Sequence, residues 1–321
     1  MSAERSRHQS GDPPPADSPA GDVKQHRPSQ RAFVTGGTGY LGGRLVASLL
    51  AEGWAVTVLV RRSSDRARVS ALQQRGVRIA EHDGSTAQLV ELLSTSAPSV
   101  VWHAATRFVG EHAIGDVAPL VQDNVVFGTQ LLEAMYRTGA RSLVVAGSAW
   151  QQHDNVDYAP VSLYAASKQA FEAMAAWYSD VAGMRIVVTR FTDVYGPDDE
   201  RRKLLWALRT AERMQSTLEM NDGSPYIDLL HVDDAIAALR VAANRARADG
   251  GAMERWAVRP GRALRLRELV ALWEAVRGTT LKVMWGARPL RARETMIPWT
   301  SGELLPEWAP RISLEDGVRA L

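Results

Sequence analysis

Six short apolar runs, each followed by a helix-like stretch, constrain this chain more than any other feature. They are Ala32-Phe33-Val34, Ala55-Val56-Thr57-Val58-Leu59-Val60, Val77-Arg78-Ile79, Val100-Val101-Trp102, Leu143-Val144-Val145-Ala146 and Arg185-Ile186-Val187-Val188. Runs this apolar have two faces to bury, and helices crossing over between parallel neighbours cover both. The expected fold class is therefore α/β, a doubly wound parallel sheet. Leu41, Leu45, Leu49 and Leu50 recur at helical spacing after the first run and read as core. Beyond Gly196 the alternation fades. Residues 31–196 and 226–246 are expected to form the sheet domain, with Asp228–Ala235 leading back into it. Residues 197–225 and 247–321 are expected to form a smaller, discontinuous C-terminal lobe. Residues 1–30 are polar and rich in proline and serine, and read as a disordered tail.

Composition narrows the chemistry. At 321 residues the chain can bury a full core, and a formal charge of +2 implies neither a nucleic-acid nor a membrane surface. There is no cysteine, which excludes disulfides, thiolate metal sites and cysteine nucleophiles; no metal is expected. No apolar run reaches membrane-spanning length and the N-terminus has no signal-like apolar core, so the expected location is the cytoplasm. Lysine occurs only at 24, 168, 203 and 282.

The first run leads into Thr35-Gly36-Gly37-Thr38-Gly39-Tyr40-Leu41-Gly42. Gly36, Gly39 and Gly42, with Tyr40 and Leu41 opening the helix, suit a dinucleotide pyrophosphate. Glycine admits close backbone approach, and the helix N-terminus offers unpaired N–H groups. That context makes the sheet Rossmann-type. At the end of the second run, where an NAD site usually has an acid, stand Arg61, Arg62 and Ser63. Two guanidiniums there suit the 2′-phosphate of NADPH; the alternative is a solvated basic turn. Asp83 and Gly84 follow the third run, where Asp83 either meets the adenine amino group or is a plain loop carboxylate. His103, Ala104, Ala105 and Thr106 close the fourth run at the carboxyl edge, the alanines suiting a close cofactor; His103 is as readily structural.

Tyr164 and Lys168 are four residues apart and share a helix face. One positive charge at ~4 Å and effective dielectric ~20 contributes about 4 kcal/mol, roughly three pKa units. Lys168, together with the positive nicotinamide of the cofactor, is thus expected to bring the Tyr164 phenol towards a working range as general acid. Ser148 ends the fifth run and can hydrogen-bond a substrate oxygen.

With these sites in register, residues 31–321 resemble the extended short-chain dehydrogenase/reductase family. Gly36, Gly39 and Gly42 match its cofactor turn, and Ser148, Tyr164 and Lys168 its catalytic triad. Asn124 in Asn124-Val125-Val126-Phe127-Gly128-Thr129 matches its helix asparagine, implying support of the lysine through backbone and water. Tyr195-Gly196-Pro197 and His231-Val232-Asp233-Asp234 match further landmarks. Gly147–His153, Pro160–Glu172 and Asp193–Asp199 resemble nucleotide-sugar 4-ketoreductases of the CDP-abequose synthase type.

Departures matter. Ala149-Trp150 stand where sugar-nucleotide dehydratases carry an Asp-Glu pair, so the groups for water elimination are missing. Asp193 and Ile227 replace the asparagine and arginine that many epimerases hold near the substrate diphosphate. Arg201, Arg202 and Lys203 are the compensating cations or a solvated helix face. Trp150 and His153 line the sugar pocket or pack structurally. The resemblance implies an NADPH-dependent reduction of C4 in a TDP- or CDP-linked 4-keto-6-deoxyhexose, by a helix-paired homodimer. Alternatives are a 4-epimerase with tightly held NAD, a reductase of another carbonyl, and a non-catalytic cofactor-sensing protein.

Overall fold

A computed structural model describes residues 30–321; the expected tail, apart from Gln30, lies outside them. The strands are β1 (Arg31–Thr35), β2 (Ala55–Arg61), β3 (Arg78–His82), β4 (Val100–His103), β5 (Ser142–Ser148) and β6 (Arg185–Phe191). With the edge strand Met253–Val258 they form one seven-stranded sheet, ordered edge strand, β6, β5, β4, β1, β2, β3. Every pairing in it is parallel. The chain runs outward from β1 through β2 and β3, then crosses to β4 and runs the other way. The crevice between β1 and β4 is therefore the topological switch point, where ligands bind in such sheets.

The strand-connecting helices are α1 (Tyr40–Ala51), α2 (Arg66–Gln74), α3 (Thr86–Ser96), α4 (Val117–Val121), α5 (Phe127–Thr138) and α6 (Leu163–Ala182). Local chemistry sets their ends. Asp65, Ser85 and Ser162 accept backbone N–H bonds at the starts of α2, α3 and α6, and Gly183 in the left-handed region stops α6. Neighbouring strand residues point to opposite faces, giving two cores. Val34, Val58, Trp102 and Val144 pack under α1 and the helix Val232–Ala246. Phe33, Val101, Leu143 and Val145 pack under α3, α5 and α6. Each fully buried side chain of this kind contributes about 1.5–3 kcal/mol. A third core around Leu208, Leu269, Trp273 and Val318 holds the smaller lobe.

The sheet differs from expectation at its edge. Met253–Val258, assigned to the lobe as part of 247–321, is the seventh strand and pairs with β6. Its run Met253-Glu254-Arg255-Trp256-Ala257-Val258 carries two charges, which an edge position tolerates. Conversely, Leu229–His231 does not join the main sheet; it pairs with Asp193–Tyr195 in a separate two-stranded ribbon. Among the described residues no helix is long and apolar enough to cross a membrane.

Candidate active site

The last residues of β1 to β5 are Thr35, Arg61, His82, His103 and Ser148, so the sheet brings the expected site residues to one edge. The glycine turn sits on the switch-point crevice. Gly36 has φ +76°, and a Cβ there would lie 2.5 Å from the Ala105 nitrogen. A Cβ on Gly42 would lie 2.2 Å from the Gly36 carbonyl oxygen. Both glycines are thus required by contact, and Ala104-Ala105 is the wall they touch. Gly39 precedes α1 with no side-chain cap and no acid in the first turn, which leaves that helix end open to an anion. Tyr40 and Leu41 supply backbone there; their side chains turn away. The Tyr40 hydroxyl donates to the Pro197 carbonyl at 3.0 Å, and Leu41 packs on the core. Burial, with the Asp199 charge second, holds the Tyr40 phenol well above its usual range.

His103 is buried beneath this wall rather than facing the crevice. Its Nδ1 lies 2.9 Å from Thr35 Oγ1, and its ring packs on Phe127 and Phe171. Burial, with the Lys168 charge second, pushes its pKa down to about 3, so the ring is neutral. In this position it supports the β1 and β4 ends.

At the β2 end, Arg61 Nη1 lies 3.2 Å from Asp123, which also pairs with Arg107 at 2.8 Å. Arg62 lies 3.6 Å from Glu81, and Ser63 is exposed. Ser64, not Ser63, shapes the turn by accepting from the Arg61 N–H at 2.9 Å. Arg68 donates to the Thr38 carbonyl at 3.2 Å and so reaches the glycine turn itself. Asp83 is exposed; hydrogen bonds from Ser85 hold its carboxyl below the usual range. The Gly84 carbonyl accepts from Gln130 at 3.1 Å.

Ser148, Tyr164 and Lys168 come together as expected, and all three are buried. The Lys168 ammonium donates to the Ala146 carbonyl at 3.0 Å. Burial lowers its pKa to about 8, opposed by the Glu172 charge. The Tyr164 phenol is pushed up to about 12. Burial is the main cause; hydrogen bonding to Ser148 pulls down, the Asp193 charge pushes up, and Thr106 and Arg201 pull down. The Lys168 ammonium is committed to a backbone carbonyl, and burial outweighs the hydrogen bonds from Ser148 and Thr106 at the phenol. Ser148 Oγ accepts from the Trp150 N–H at 3.2 Å. Asn124 lies in a π-helical turn, Gln122–Val126, between α4 and α5. Its Nδ2 donates to Ser167 Oγ at 2.8 Å and to the Arg107 carbonyl at 3.0 Å. Its Oδ1 accepts from Thr106 Oγ1 at 3.1 Å and the Arg107 N–H at 2.7 Å. The side chain thus ties the loop after β4 to α6 and has no capacity left for Lys168.

Next to the triad opens a cavity of about 690 Å³, lined by Trp150, Asp193, Arg202 and Lys203 from the expected set. Asp193 is paired with Lys203 at 3.4 Å. Arg201 does not line the cavity: it holds Asp199 at 2.7 Å and donates to the Val194 carbonyl. His153 is also elsewhere, its Nε2 3.2 Å from the Glu294 carbonyl beside a small separate cavity. Each of these two side chains is held by a contact within the fold. Among the described residues no carboxylate pairs with Arg202, nor with Arg209 and Arg288, which line the same cavity. Trp150 stands 5.5 Å from Phe108 and 6.4 Å from Tyr164, and Phe108 meets Tyr164 edge-on at 4.9 Å. Arg291 lies over the outer side of Trp150 at 5.3 Å.

Residues 32–254 match the NAD dependent epimerase/dehydratase family. The chain belongs to that family. A UDP-glucose 4-epimerase of Mycolicibacterium smegmatis is 28% identical over 304 residues, covering 90% of this chain and 96% of that one. The CDP-abequose synthase of Salmonella typhimurium is 22% identical over 295 residues, with the same coverage. The solved UDP-glucuronic acid 4-epimerase of Bacillus cereus, in complex with UDP-glucuronic acid and NAD, shares the fold. Its TM-score is 0.79 at 20% identity, covering 91% of this chain and 97% of that one.

As a member of the epimerase/dehydratase family the chain carries residues that the sequence reading passed over. Phe108, Arg209 and the loop pair Arg288 and Arg291 come from three separate parts of the chain, and no local pattern announces them. Gln151 and Glu172 do have signals. Ser148-Ala149-Trp150-Gln151 has the spacing of a capping box, and Glu172 falls one further turn along the α6 face from Lys168.

Proposed function

We propose that this family member is an NADPH-dependent reductase of the C4 keto group in a nucleotide-linked 4-keto-6-deoxyhexose, the nucleotide being TDP or CDP. The observation that carries this reading is the β2 terminus. Arg61 and Arg62 stand where an NAD enzyme usually has an acid for the ribose, and Arg61 already faces an anionic partner, Asp123. A phosphate offers more charge and more acceptor oxygens than that carboxylate.

The residues of the crevice fit a dinucleotide. Gly36 and Gly42 have no room for a Cβ, and the open start of α1 suits a pyrophosphate. When bound, the cofactor supplies the hydride; the remaining steps are the protein's. Tyr164 donates its phenolic proton to the sugar C4 oxygen as negative charge develops there. A phenol near 12 is a competent donor to an alkoxide, and Ser148 shares the load by hydrogen-bonding the same oxygen. Lys168, positive below about 8, adds a buried cation beside the site. Phe108 and Trp150 exclude water around the phenol and offer apolar surface to a C6 methyl group. Arg202, Arg209 and Arg288 are the cations available for the diphosphate. Lys203 offsets the charge of Asp193 there, a task the sequence shared among three cations. Alanine and tryptophan after Ser148 leave no carboxyl pair for eliminating water.

A 4-epimerase is the second reading, supported by the near full-length similarity to the Mycolicibacterium smegmatis UDP-glucose 4-epimerase. The two differ in cofactor traffic: a reductase exchanges its cofactor every turnover, an epimerase keeps it. Purified protein is given freshly made TDP- and CDP-4-keto-6-deoxyglucose with NADPH or NADH, and reduced-nicotinamide absorbance is followed. Stoichiometric loss of NADPH is the expected result. NAD retained through purification, with UDP-glucose interconverted and no net oxidation, would replace the reductase by the epimerase.

A further inference from the structure

We propose that Gln151 is a positioning residue for the reaction: clamped by Glu172, it sets the backbone that aims the Ser148 hydroxyl at Tyr164. Gln151 is fully buried, and both ends of its amide are used. Its Nε2 donates to Glu172 Oε1 at 2.8 Å, and its Oε1 accepts from the Ser148 N–H at 3.1 Å. The orientation is dictated by chemistry. The Glu172 carboxylate faces the NH2 end as acceptor, and the Ser148 amide faces the oxygen end as donor.

Glu172 is itself buried and held by two ion pairs. It is 2% exposed, and Arg190 from β6 and Arg255 from the edge strand lie 2.7 Å and 3.1 Å from its Oε2. It also lies on α6, four residues after Lys168 and eight after Tyr164, on the same helix face. Hydrogen bonds thus link α6 through Glu172 and Gln151 to Ser148, and the influence of the Ser148 hydroxyl on the Tyr164 phenol, which it pulls down, closes a ring back to α6. The Trp150 N–H occupies an acceptor site on Ser148 Oγ and leaves the hydroxyl proton free to be donated. A rigid ring of this kind fixes serine and tyrosine relative to one another without a direct contact between Gln151 and any substrate.

The proposal rests on Ser148 and Tyr164 being the reacting pair, and not on which sugar is reduced or epimerised. It is tested by a double-mutant cycle on the full chain: Gln151→Met, Ser148→Ala and both together. Methionine preserves volume and removes both amide bonds. Gln151→Met is expected to lower kcat about tenfold to a hundredfold, as loss of a well-placed hydrogen-bonding group does, leaving the sugar KM and cofactor affinity within about twofold. In the Ser148→Ala background the same change is expected to cost less than about twofold, because the group it positions is gone. Equal losses in both backgrounds, or a loss carried by KM or by folded yield, would overturn the proposal. A crystal structure of the Gln151→Met protein keeps the test independent of the functional reading. If the parent turns over none of the sugars offered, a Ser148 hydroxyl displaced from Tyr164 sustains the proposal, and one that stays in place refutes it.

Discussion

The two ends of the candidate cofactor crevice are built on different physics. At the triad end Ser148, Tyr164, Lys168 and Asn124 are all buried, and the surrounding fold holds each in one arrangement. At the β2 end Arg61, Arg62, Arg66 and Arg68 have side chains 63%, 77%, 64% and 51% exposed and pair with nearby carboxylates. Buried groups have one geometry and a large penalty for losing it; exposed pairs are screened, interchangeable and individually weak. A single substitution at the triad end should therefore stop the enzyme, whereas the β2 end should respond in graded, salt-dependent steps.

The largest effect is expected from Tyr164→Phe. It removes the only phenol at the proton-transfer position while keeping the ring that packs on Phe108. Turnover should fall at least about a thousandfold, with cofactor binding by calorimetry unchanged. Residual activity within about tenfold of the parent would remove Tyr164 from the chemistry. Gly42→Ala comes next. Its Cβ would lie 2.2 Å from the Gly36 carbonyl oxygen, backbone that cannot swing away. The turn must deform, and dinucleotide affinity should drop by more than about tenfold before any change in the sugar site. An unchanged affinity would mean that the pyrophosphate does not use this turn.

Two pH effects separate buried groups of opposite purpose. Lys168 titrates near 8 in the folded protein, so kcat should fall as pH rises through about 8 and the ammonium loses its charge. A flat profile across that value would show that the charge is not used. His103 is neutral in the fold, with a pKa pushed from 6.5 down to about 3. Between those values the unfolded chain holds a proton that the folded chain lacks, so stability should fall as pH drops from 6.5 towards 3. Urea midpoints in that window should fall less in a His103→Gln variant; identical slopes would remove His103 as the cause.

How much of this was legible in the sequence follows the same division. The parallel sheet was legible because its strands are short, continuously apolar runs alternating with helical stretches, and the same runs form the strands of the structure. The pairings that no residue pattern announces are those chosen only when the chain folds. Lys168 pairs with the Ala146 carbonyl across 22 residues, a contact that helix spacing does not announce. Arg201 looked like a free cation beside Lys203, but Asp199, two residues away, takes it in a bidentate pair. His153 meets Glu294 across 141 residues. The edge strand carries two charges in six residues and so does not read as strand; its outer side pairs only around Ala257, which bridges to Leu304.

The smallest effect, and the sharpest test of the exposed end, is expected from Arg61→Ala combined with Arg62→Ala. If these guanidiniums hold a 2′-phosphate, the NADPH KM should rise about tenfold or more while the NADH value stays within about twofold. The effect should shrink with added salt, since the groups are exposed and the attraction is screened over roughly 8–10 Å at physiological ionic strength. Asp123→Asn offers the reciprocal change. It frees Arg61 from the carboxylate 3.2 Å away, and so should tighten NADPH a few-fold and leave NADH unaffected. Equal shifts for both cofactors in either variant would mean that the arginines serve only as a solvated turn. The triad would then stand unchanged beside a crevice that does not distinguish the two dinucleotides, which is the arrangement an epimerase with retained NAD could tolerate and a reductase drawing on NADPH could not.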